Sequence, residues 1–342
     1  MPILIKSNAL TFDDILLVPQ YSEIASRSYV NIETHLLGAR WPIPICSANM
    51  DTVTEVAMAY EMYRLGGLGF LHRYAEHKTI LKWVKEIQRA DQTAIPSIGI
   101  KAEDFIHAMD YANEGVLAIN IDIAHGDSQH MVWMIERLVK EGIDVIAGNV
   151  ATRDGALRLA SAGAKIIKVG IGPGSLCTTR IVTGHGVPQL SAIEDCASVK
   201  NHFPGVSIIA DGGIRNAGDC VKALAFGADM VMVGSLFAGT NESPGKSVMT
   251  NDGLVKEYRG MASRNARSSV TAVDSSYTPE GESTYVRLKG PVEDIVKQLE
   301  GGIRSGFSYS GANTLKEFRE SARYVTITGN GVAESKPHLL TR

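Results

Sequence analysis

The stretch AKIIKVGIGPGSLCTTR, residues 164–180, joins a buried apolar strand to a glycine-rich loop that carries a cysteine. Glycines before the cysteine allow a close backbone approach to an anion or cation, and hydroxyls and an arginine follow it. This setting is typical of a reactive Cys177 thiolate beside a phosphate or ion site. A small cysteine buried in a turn is the alternative interpretation.

Seven other apolar runs resemble the strand in this stretch, and amphipathic stretches separate the eight runs. Regular alternation of strands and helices is typical of βα units around a parallel sheet, and eight units favour a closed barrel. We therefore predict an α/β protein in which residues 1–342 form a single (β/α)8 TIM barrel domain. The predicted strands lie in residues 43–50, 66–73, 95–100, 116–125, 144–150, 165–172, 206–213 and 229–237.

Small and polar residues follow the sixth, seventh and eighth runs. Loops at these strand ends are a recurring place for a phosphate, which backbone N–H groups would hold. Asp211 would then face ribose hydroxyls, although an aspartate that caps a turn is the alternative. The predicted phosphate loops contain Ser175, Gly212, Gly213, Gly234 and Ser235.

Residues 240–289 follow the eighth predicted strand and differ from the rest of the chain. They are rich in serine, threonine, glycine and charge and show little periodicity. This segment, called the flap below, is too long for an ordinary connection, so we predict a mobile lid. By composition alone, Glu280 in the flap is a solvated loop carboxylate.

The bulk composition excludes several classes of protein. The net charge is −3, with 34 basic and 37 acidic residues, and no basic face predicts nucleic-acid or membrane binding. Four cysteines without a CxxC pair argue against a zinc knuckle or a disulfide framework and favour a reducing compartment. We therefore expect a soluble, untargeted, cytoplasmic protein.

A set of motifs spans nearly the whole chain. It includes LTFDDILLVP (10–19), SANMDTVTE (47–55), IDIAHGDS (121–128), GIGPGSLCTTR (170–180), IIADGGIRNAGD (208–219), VGSLFAG (233–239) and YRGMAS (258–263). Together they resemble the IMP dehydrogenase and GMP reductase family. The resemblance implies a (β/α)8 barrel, usually a homotetramer. In it, Cys177 adds to C2 of a purine nucleotide and a nicotinamide cofactor exchanges hydride with that carbon.

The resemblance covers two activities, and the flap distinguishes them. IMP dehydrogenases usually carry a pair of CBS modules after the second strand and an Arg-Tyr pair in the flap. Here the chain passes directly from the second to the third strand, and no Arg-Tyr occurs between Gly260 and Gly290. Glu280 resembles the reductase glutamate that forms a proton-transfer pair with a threonine, here Thr179. The resemblance thus favours an NADPH-dependent GMP reductase, with an NAD-dependent IMP dehydrogenase as the alternative.

Some features resemble bacterial dehydrogenases instead. They are PEG (279–281), the helical stretch 290–306 and the tail ITGNGVAESKPH (327–338). In dehydrogenases this tail helps a neighbouring subunit to bind a monovalent cation at the cysteine loop. Ala262 also replaces a serine that contacts the base in many reductases.

The resemblance assigns roles to residues that match the family motifs. Catalysis is assigned to Cys177, Thr179 and Glu280. The cofactor is assigned to Asp122, Ala124, Asn149 and Thr179, and a potassium ion to the backbone carbonyls of Gly172, Gly174 and Cys177. The substrate, GMP or IMP, is assigned to Ser175, Asp211, Gly212, Gly213, Gly234, Ser235, Tyr258, Gly260, Met261 and Ala262.

Two other classes of protein remain as alternatives. A barrel that senses purine nucleotides would bind GMP or IMP without turnover. A phosphosugar aldolase or isomerase would need a lysine at a strand end or paired acids, and Lys168 lies in the middle of a predicted strand.

Overall fold

The computed structural model describes residues 4–251, 253–268 and 278–337. Two of the strands before the barrel form an antiparallel hairpin whose Leu36 and Trp41 pack into the apolar cluster of the barrel interior. The hairpin therefore covers one end of the barrel. The strands before the barrel are β1 (Ile15–Leu17), β2 (Thr34–Leu36) and β3 (Ala39–Trp41).

Eight parallel strands follow in chain order and form a closed barrel, because the last strand pairs with the first. Each predicted run overlaps one of these strands, and seven of the eight runs contain their strand whole, so the predicted (β/α)8 barrel is confirmed. The barrel strands are β4 (Ile45–Ser47), β5 (Leu68–Leu71), β6 (Ala94–Ile98), β7 (Ile119–Asp122), β8 (Val145–Val150), β9 (Ile166–Val169), β10 (Ser207–Asp211) and β11 (Met230–Val233).

Helices connect successive barrel strands, and several begin at a side-chain cap. The hydroxyls of Ser128 and Thr152 and the amide oxygen of Asn216 each accept a backbone N–H of the first turn. The connecting helices are α1 (Val56–Arg64), α2 (His77–Arg89), α3 (Ala102–Asn113), α4 (Gln129–Lys140), α5 (Arg153–Ser161), α6 (Thr179–Thr183), α7 (Gln189–Ala197) and α8 (Ala217–Ala225). Single-turn 3-10 helices occupy Phe12–Asp14, Arg27–Tyr29 and Ser198–Asn201.

Alternation of side chains along the strands divides the core into two layers. Inward-facing residues such as Phe70, Ile146 and Met230 fill the barrel interior. Outward-facing residues such as Ile167 and Val231 pack against the surrounding helices. Burial of each large apolar side chain stabilises the folded state by roughly 1.5–3 kcal/mol. The rigid barrel that results holds the strand ends in fixed positions.

The flap contains regular structure that its composition does not predict. Its strands form an antiparallel sheet in the order β12-β13-β14. Most side chains of β12 and β14 are exposed, so they lack the alternating apolar pattern of a half-buried strand. These elements are β12 (Ser247–Thr250), β13 (Gly253–Arg259), α9 (Arg264–Ser268) and β14 (Ser283–Arg287).

The chain continues through α10 (Val292–Tyr309) and α11 (Leu315–Ser321) to β15 (Tyr324–Thr326) and α12 (Gly329–Glu334). Strand β15 pairs antiparallel with β1, which joins the two ends of the described chain. Among the described residues, none of the helices has both the length and the apolar character that a membrane span requires.

Candidate active site

Three barrel strands bring charged side chains to the carboxyl end of the barrel. Ile209 packs in the barrel interior, and Asp211, two residues further along β10, lies on the same face of the strand. The same two-residue step leads to Lys168 in β9 and to Asp122 at the end of β7. The barrel mouth therefore carries a charged layer directly above the apolar interior.

The loop that follows β9 depends on glycine. Gly170 has a φ of 151°, and a Cβ there would lie 2.0 Å from the backbone oxygen of Asp211. Gly172 has a φ of 88°, and a Cβ there would lie 2.5 Å from the Arg180 side chain. Both positions require glycine: Gly170 lets the loop approach the end of β10, and Gly172 makes room for the Arg180 side chain.

Cys177 is the accessible cysteine of the chain. It is half-buried, and its Sγ lies 3.1 Å from Oγ1 of Thr179. The other three cysteines are buried, and burial raises the pKa of each of these thiols: Cys46, Cys196 and Cys220. The predicted nucleophile is thus the thiol that a ligand can reach.

The flap is hydrogen-bonded to the cysteine loop. Thr178 N donates to the carbonyl of Glu280 at 2.9 Å, and Glu282 N donates to the carbonyl of Leu176 at 2.9 Å. Gly281 forms a bridge with Cys177 between these two bonds. Glu280 is half-buried as a residue, and its backbone is bonded to a loop about 100 residues earlier in the chain. The expectation that its carboxylate is solvated stays a prediction.

The three predicted phosphate loops, one of which is the cysteine loop itself, come together at the barrel mouth. The hydroxyls of Ser175 and Tyr258 are 3.1 Å apart, and Tyr258 is buried. A Cβ added at Gly212 would lie 3.1 Å from Gly174 N, and one at Gly234 would lie 3.5 Å from the Tyr258 hydroxyl. Loops after β9, β10 and β11 therefore form one small-residue pocket, in which the buried Tyr258 hydroxyl pairs with the hydroxyl of the exposed Ser175.

Two further phosphate-loop residues lie at the edges of this pocket. Gly213 has a φ of 82° and faces the ring of Phe12. The carbonyl of Ser235 accepts a hydrogen bond from Lys289 Nζ at 2.7 Å, and burial lowers the pKa of that lysine. The sequence did not reveal this contact between Lys289 and Ser235.

The residues predicted to meet the purine lie where the flap approaches the barrel. Met261 Sδ is 3.3 Å from the backbone nitrogen of Asp51. The carbonyl of Ala262 accepts a hydrogen bond from Glu280 N at 3.1 Å, and Gly260 N donates to the carbonyl of Glu282 at 2.9 Å. These three residues are thus held between the barrel and the Glu280 segment.

An ion pair fixes the last residue of β13 to the barrel. Arg259 Nε lies 2.9 Å from Oδ2 of Asp51, whose side chain is 5% exposed. The sequence placed Asp51 near a strand end but gave no sign of this partner. The pair positions the flap sheet relative to the predicted purine site.

The predicted cofactor residues form part of a second polar group at the barrel mouth. Asn149 Nδ2 donates to the carbonyl of Gly170 and to Asp211 Oδ2, both at 2.9 Å. Asp122 forms a close ion pair with the buried Lys168. Ala124 is exposed on the loop after β7. Asn149 Oδ1 is buried without a hydrogen-bond partner in the described part of the chain, so a donor from a bound ligand would fit there.

Lys168 is another site residue that the sequence interpretation overlooked. It lies in the middle of β9, as expected, but its side chain enters the barrel and contacts site residues. A lysine inside the apolar run KIIKVGIG was the signal, since an unpaired charge is rarely buried.

The fold and the site define a class: a (β/α)8 barrel with a cysteine loop after its sixth strand and a flap docked on that loop. The model of the IMP dehydrogenase / GMP reductase domain matches residues 9–338, and the chain belongs to this family. Members of the family are oxidoreductases that act on IMP or GMP with a nicotinamide cofactor.

Similar proteins carry both names. An inosine-5′-monophosphate dehydrogenase from Cryptosporidium parvum is 40% identical, covering 96% of this chain and 94% of that protein. A GMP reductase from Leishmania donovani is 32% identical, covering 97% of each. A solved structure of a GMP reductase variant from Trypanosoma brucei, in complex with guanosine 5′-monophosphate, has a TM-score of 0.94 at 30% identity. It covers 98% of this chain and 99% of that chain.

Proposed function

We propose that this protein is a GMP reductase, which converts GMP to IMP and ammonia with NADPH as the reductant. The observation that carries the proposal is the hydrogen bonding of the Glu280 segment to the cysteine loop. These bonds hold the backbone of Glu280 against Thr178, which lies between Cys177 and Thr179 in the chain. Loss of the 2-amino group needs an acid, and Glu280 would deliver the proton.

The chemistry begins at Cys177. Its thiolate adds to C2 of GMP, and the 2-amino group leaves as ammonia once it is protonated. Thr179 lies 3.1 Å from the sulfur and would relay the proton from Glu280. The product of this half-reaction is a thioimidate between Cys177 and the purine. After reduction at C2, the carbon–sulfur bond breaks and the thiol is released with IMP.

The nucleotide would bind across the pocket next to the cysteine. Backbone N–H groups of the small-residue loops and the paired Ser175 and Tyr258 hydroxyls suit a 5′-phosphate. Asp211 would accept hydrogen bonds from the ribose. The purine edge would meet Gly260, Met261 and Ala262. The phosphate loops are completed by Gly212, Gly213, Gly234 and Ser235.

The group formed by Asp122, Ala124 and Asn149 would hold the cofactor, with Thr179 between cofactor and substrate. The partnerless Asn149 Oδ1 suits an amide donor such as a carboxamide. When bound, NADPH would supply the hydride for C2. The carbonyls of Gly172, Gly174 and Cys177 would be the ligands of a potassium ion; that of Gly174 also accepts Cys177 N–H at 3.0 Å.

The second candidate is an NAD-dependent IMP dehydrogenase, which would oxidise IMP to XMP. It is favoured by the dehydrogenase from Cryptosporidium parvum, whose 40% identity exceeds the 32% and 30% of the two reductases. It would hydrolyse the same kind of cysteine adduct with water, and the flap contains no Arg-Tyr pair to activate that water. We therefore favour the reductase.

Paired assays test the proposal. The purified protein is incubated with GMP and NADPH and, separately, with IMP and NAD, while cofactor absorbance is followed. We expect oxidation of NADPH in the first assay and little change in the second. Reduction of NAD with IMP would support the dehydrogenase, and nucleotide binding without turnover would support a sensor. Light scattering and cell fractionation test the homotetramer and the cytoplasmic location that we also propose.

A further inference from the structure

Lys168 is a fully buried cation that the proposed chemistry does not use. Its side chain enters the barrel from β9 and is 0% exposed. An ammonium group is stable inside a protein only when acceptors surround it. The acceptors around Lys168 therefore indicate the role of its positive charge.

Three oxygens from three strand ends surround Lys168 Nζ. Oδ1 of Asp122 forms the close ion pair, Oδ1 of Asn49 lies at 3.5 Å, and Oδ2 of Asp211 lies at 3.6 Å. An ammonium group has three N–H donors, which matches these three oxygens. The ammonium group is 0% exposed and faces these three protein oxygens, so the lysine acts on its neighbours and not on the substrate directly.

The carboxylates of Asp122 and Asp211, in contrast, can still accept hydrogen bonds from a bound ligand. The side chains of Asp122 and Asp211 are 19% and 22% exposed. One lysine faces two carboxylates, and an ionised carboxylate accepts up to about four hydrogen bonds. Hydroxyl and amide donors of bound ligands would therefore complete the cluster.

We propose that Lys168 is a positioning residue that holds Asp122 and Asp211 ionised and in place, and thereby couples the cofactor site to the nucleotide site. This inference rests on the proposed function, which assigns Asp122 to the cofactor and Asp211 to the ribose. Without the lysine, two carboxylates from neighbouring parts of the barrel mouth would lose the cation that lies between them.

The charges around the cluster agree with this role. The pKa of Asp122 is lowered overall: burial raises it, but the charge and hydrogen bond of Lys168, the charge of Arg73 and a hydrogen bond with Asn49 together lower it by more. The pKa of Lys168 is raised overall: burial lowers it, but the groups around it, chiefly Asp122 and Asp211, together raise it by more. The facing thiol of Cys46 stays neutral, because burial raises its pKa well above the usual value. The lysine therefore remains an ammonium and does not act as a nucleophile.

Replacement of the lysine tests the proposal. Binding of GMP and of NADPH to Lys168→Met is measured by titration calorimetry from about pH 8.5 to about pH 5.5. We expect both affinities to fall about tenfold or more. The loss should grow as the pH falls, because removal of the cation raises the pKa of Asp122, which then takes up a proton within this range. Lys168→Arg should restore part of the affinity and the flat pH profile.

Lys200→Met is the matched control, since it removes a partly buried lysine that pairs with Asp229 at 2.6 Å outside the site. Wild-type affinities and a flat profile in Lys168→Met would overturn the proposal. If that variant does not fold, Lys168→Met/Asp122→Asn is compared with Asp122→Asn. Equal GMP affinity of these two proteins would overturn it, and weaker binding by the double variant would support it. If the wild-type protein bound neither GMP nor NADPH, that result would contradict the proposed function itself.

Discussion

Exposure separates Cys177 from the other three cysteines of the chain. We expect iodoacetamide to modify one cysteine per native chain, because burial raises the pKa of the other thiols and blocks access to them. Peptide mass spectrometry should locate the label on Cys177, and GMP should slow its addition. Cys177→Ala should take up no label and lose turnover. Rapid labelling of Cys46, Cys196 or Cys220 in the native protein would contradict the site.

The role of Glu280 can also be tested with a single substitution. Glu280→Gln should lower the rate of GMP deamination by about 100-fold or more, since the amide cannot donate the proton that the leaving ammonia needs. Its GMP dissociation constant should change little. Stopped-flow turnover and equilibrium titration separate the two effects. Glu282→Gln, an exposed neighbour, is the control and should keep both values. Equal losses of rate and binding in Glu280→Gln would reject the proton-donor role.

Single residues differed in how far the sequence could assign them. Cys177 and Asp211 were recognisable because glycines and strand ends mark them locally. Lys168 and Arg259 were not, because their partners Asp122 and Asp51 are 46 and 208 residues away in the chain. An ion pair of this kind depends on barrel closure, which no local pattern describes.

The cysteine loop is the element whose geometry limits substitution most. Gly170→Ala should abolish most activity and lower the melting temperature, because its Cβ would lie 2.0 Å from the Asp211 carbonyl oxygen. Gly184→Ala is the matched control: its φ is also positive, 71°, but no atom lies within 4 Å. We expect it to cost only about 1 kcal/mol. Thermal unfolding and turnover check both variants, and an active, stable Gly170→Ala would refute the described loop.

The strands of the flap are secondary-structure elements that the sequence did not predict. The barrel strands are buried on both faces and mainly apolar, so each was visible as a short apolar run. Strand β12 is exposed at every position, and its pairing with β13 depends on backbone hydrogen bonds. Amino-acid composition does not indicate such bonds. The expectation of a mobile lid stays a prediction, although hydrogen bonds join the Glu280 segment to the cysteine loop.

For the whole molecule, the rhythm of eight βα units predicted the closed barrel, but not how the chain ends meet. Strand β15 pairs with β1, and Tyr324 packs against Phe226. Ending the chain after Ala322 should lower the melting temperature by at least about 3 °C, because these contacts are lost. Val325→Thr, half-exposed on β15, keeps the ladder and should change it by less than about 1 °C. Calorimetry that found no change on truncation would contradict the described pairing.

The reaction of the whole enzyme is tested most directly with GMP labelled with ¹⁵N in its 2-amino group. The protein is mixed with labelled GMP and NADPH, and ammonia, IMP and oxidised cofactor are measured together. The proposed function predicts one labelled ammonia and one IMP for each NADPH consumed, and none of these with Cys177→Ala. The contradicting result is no labelled ammonia from GMP, together with formation of XMP when the same protein is given IMP and NAD.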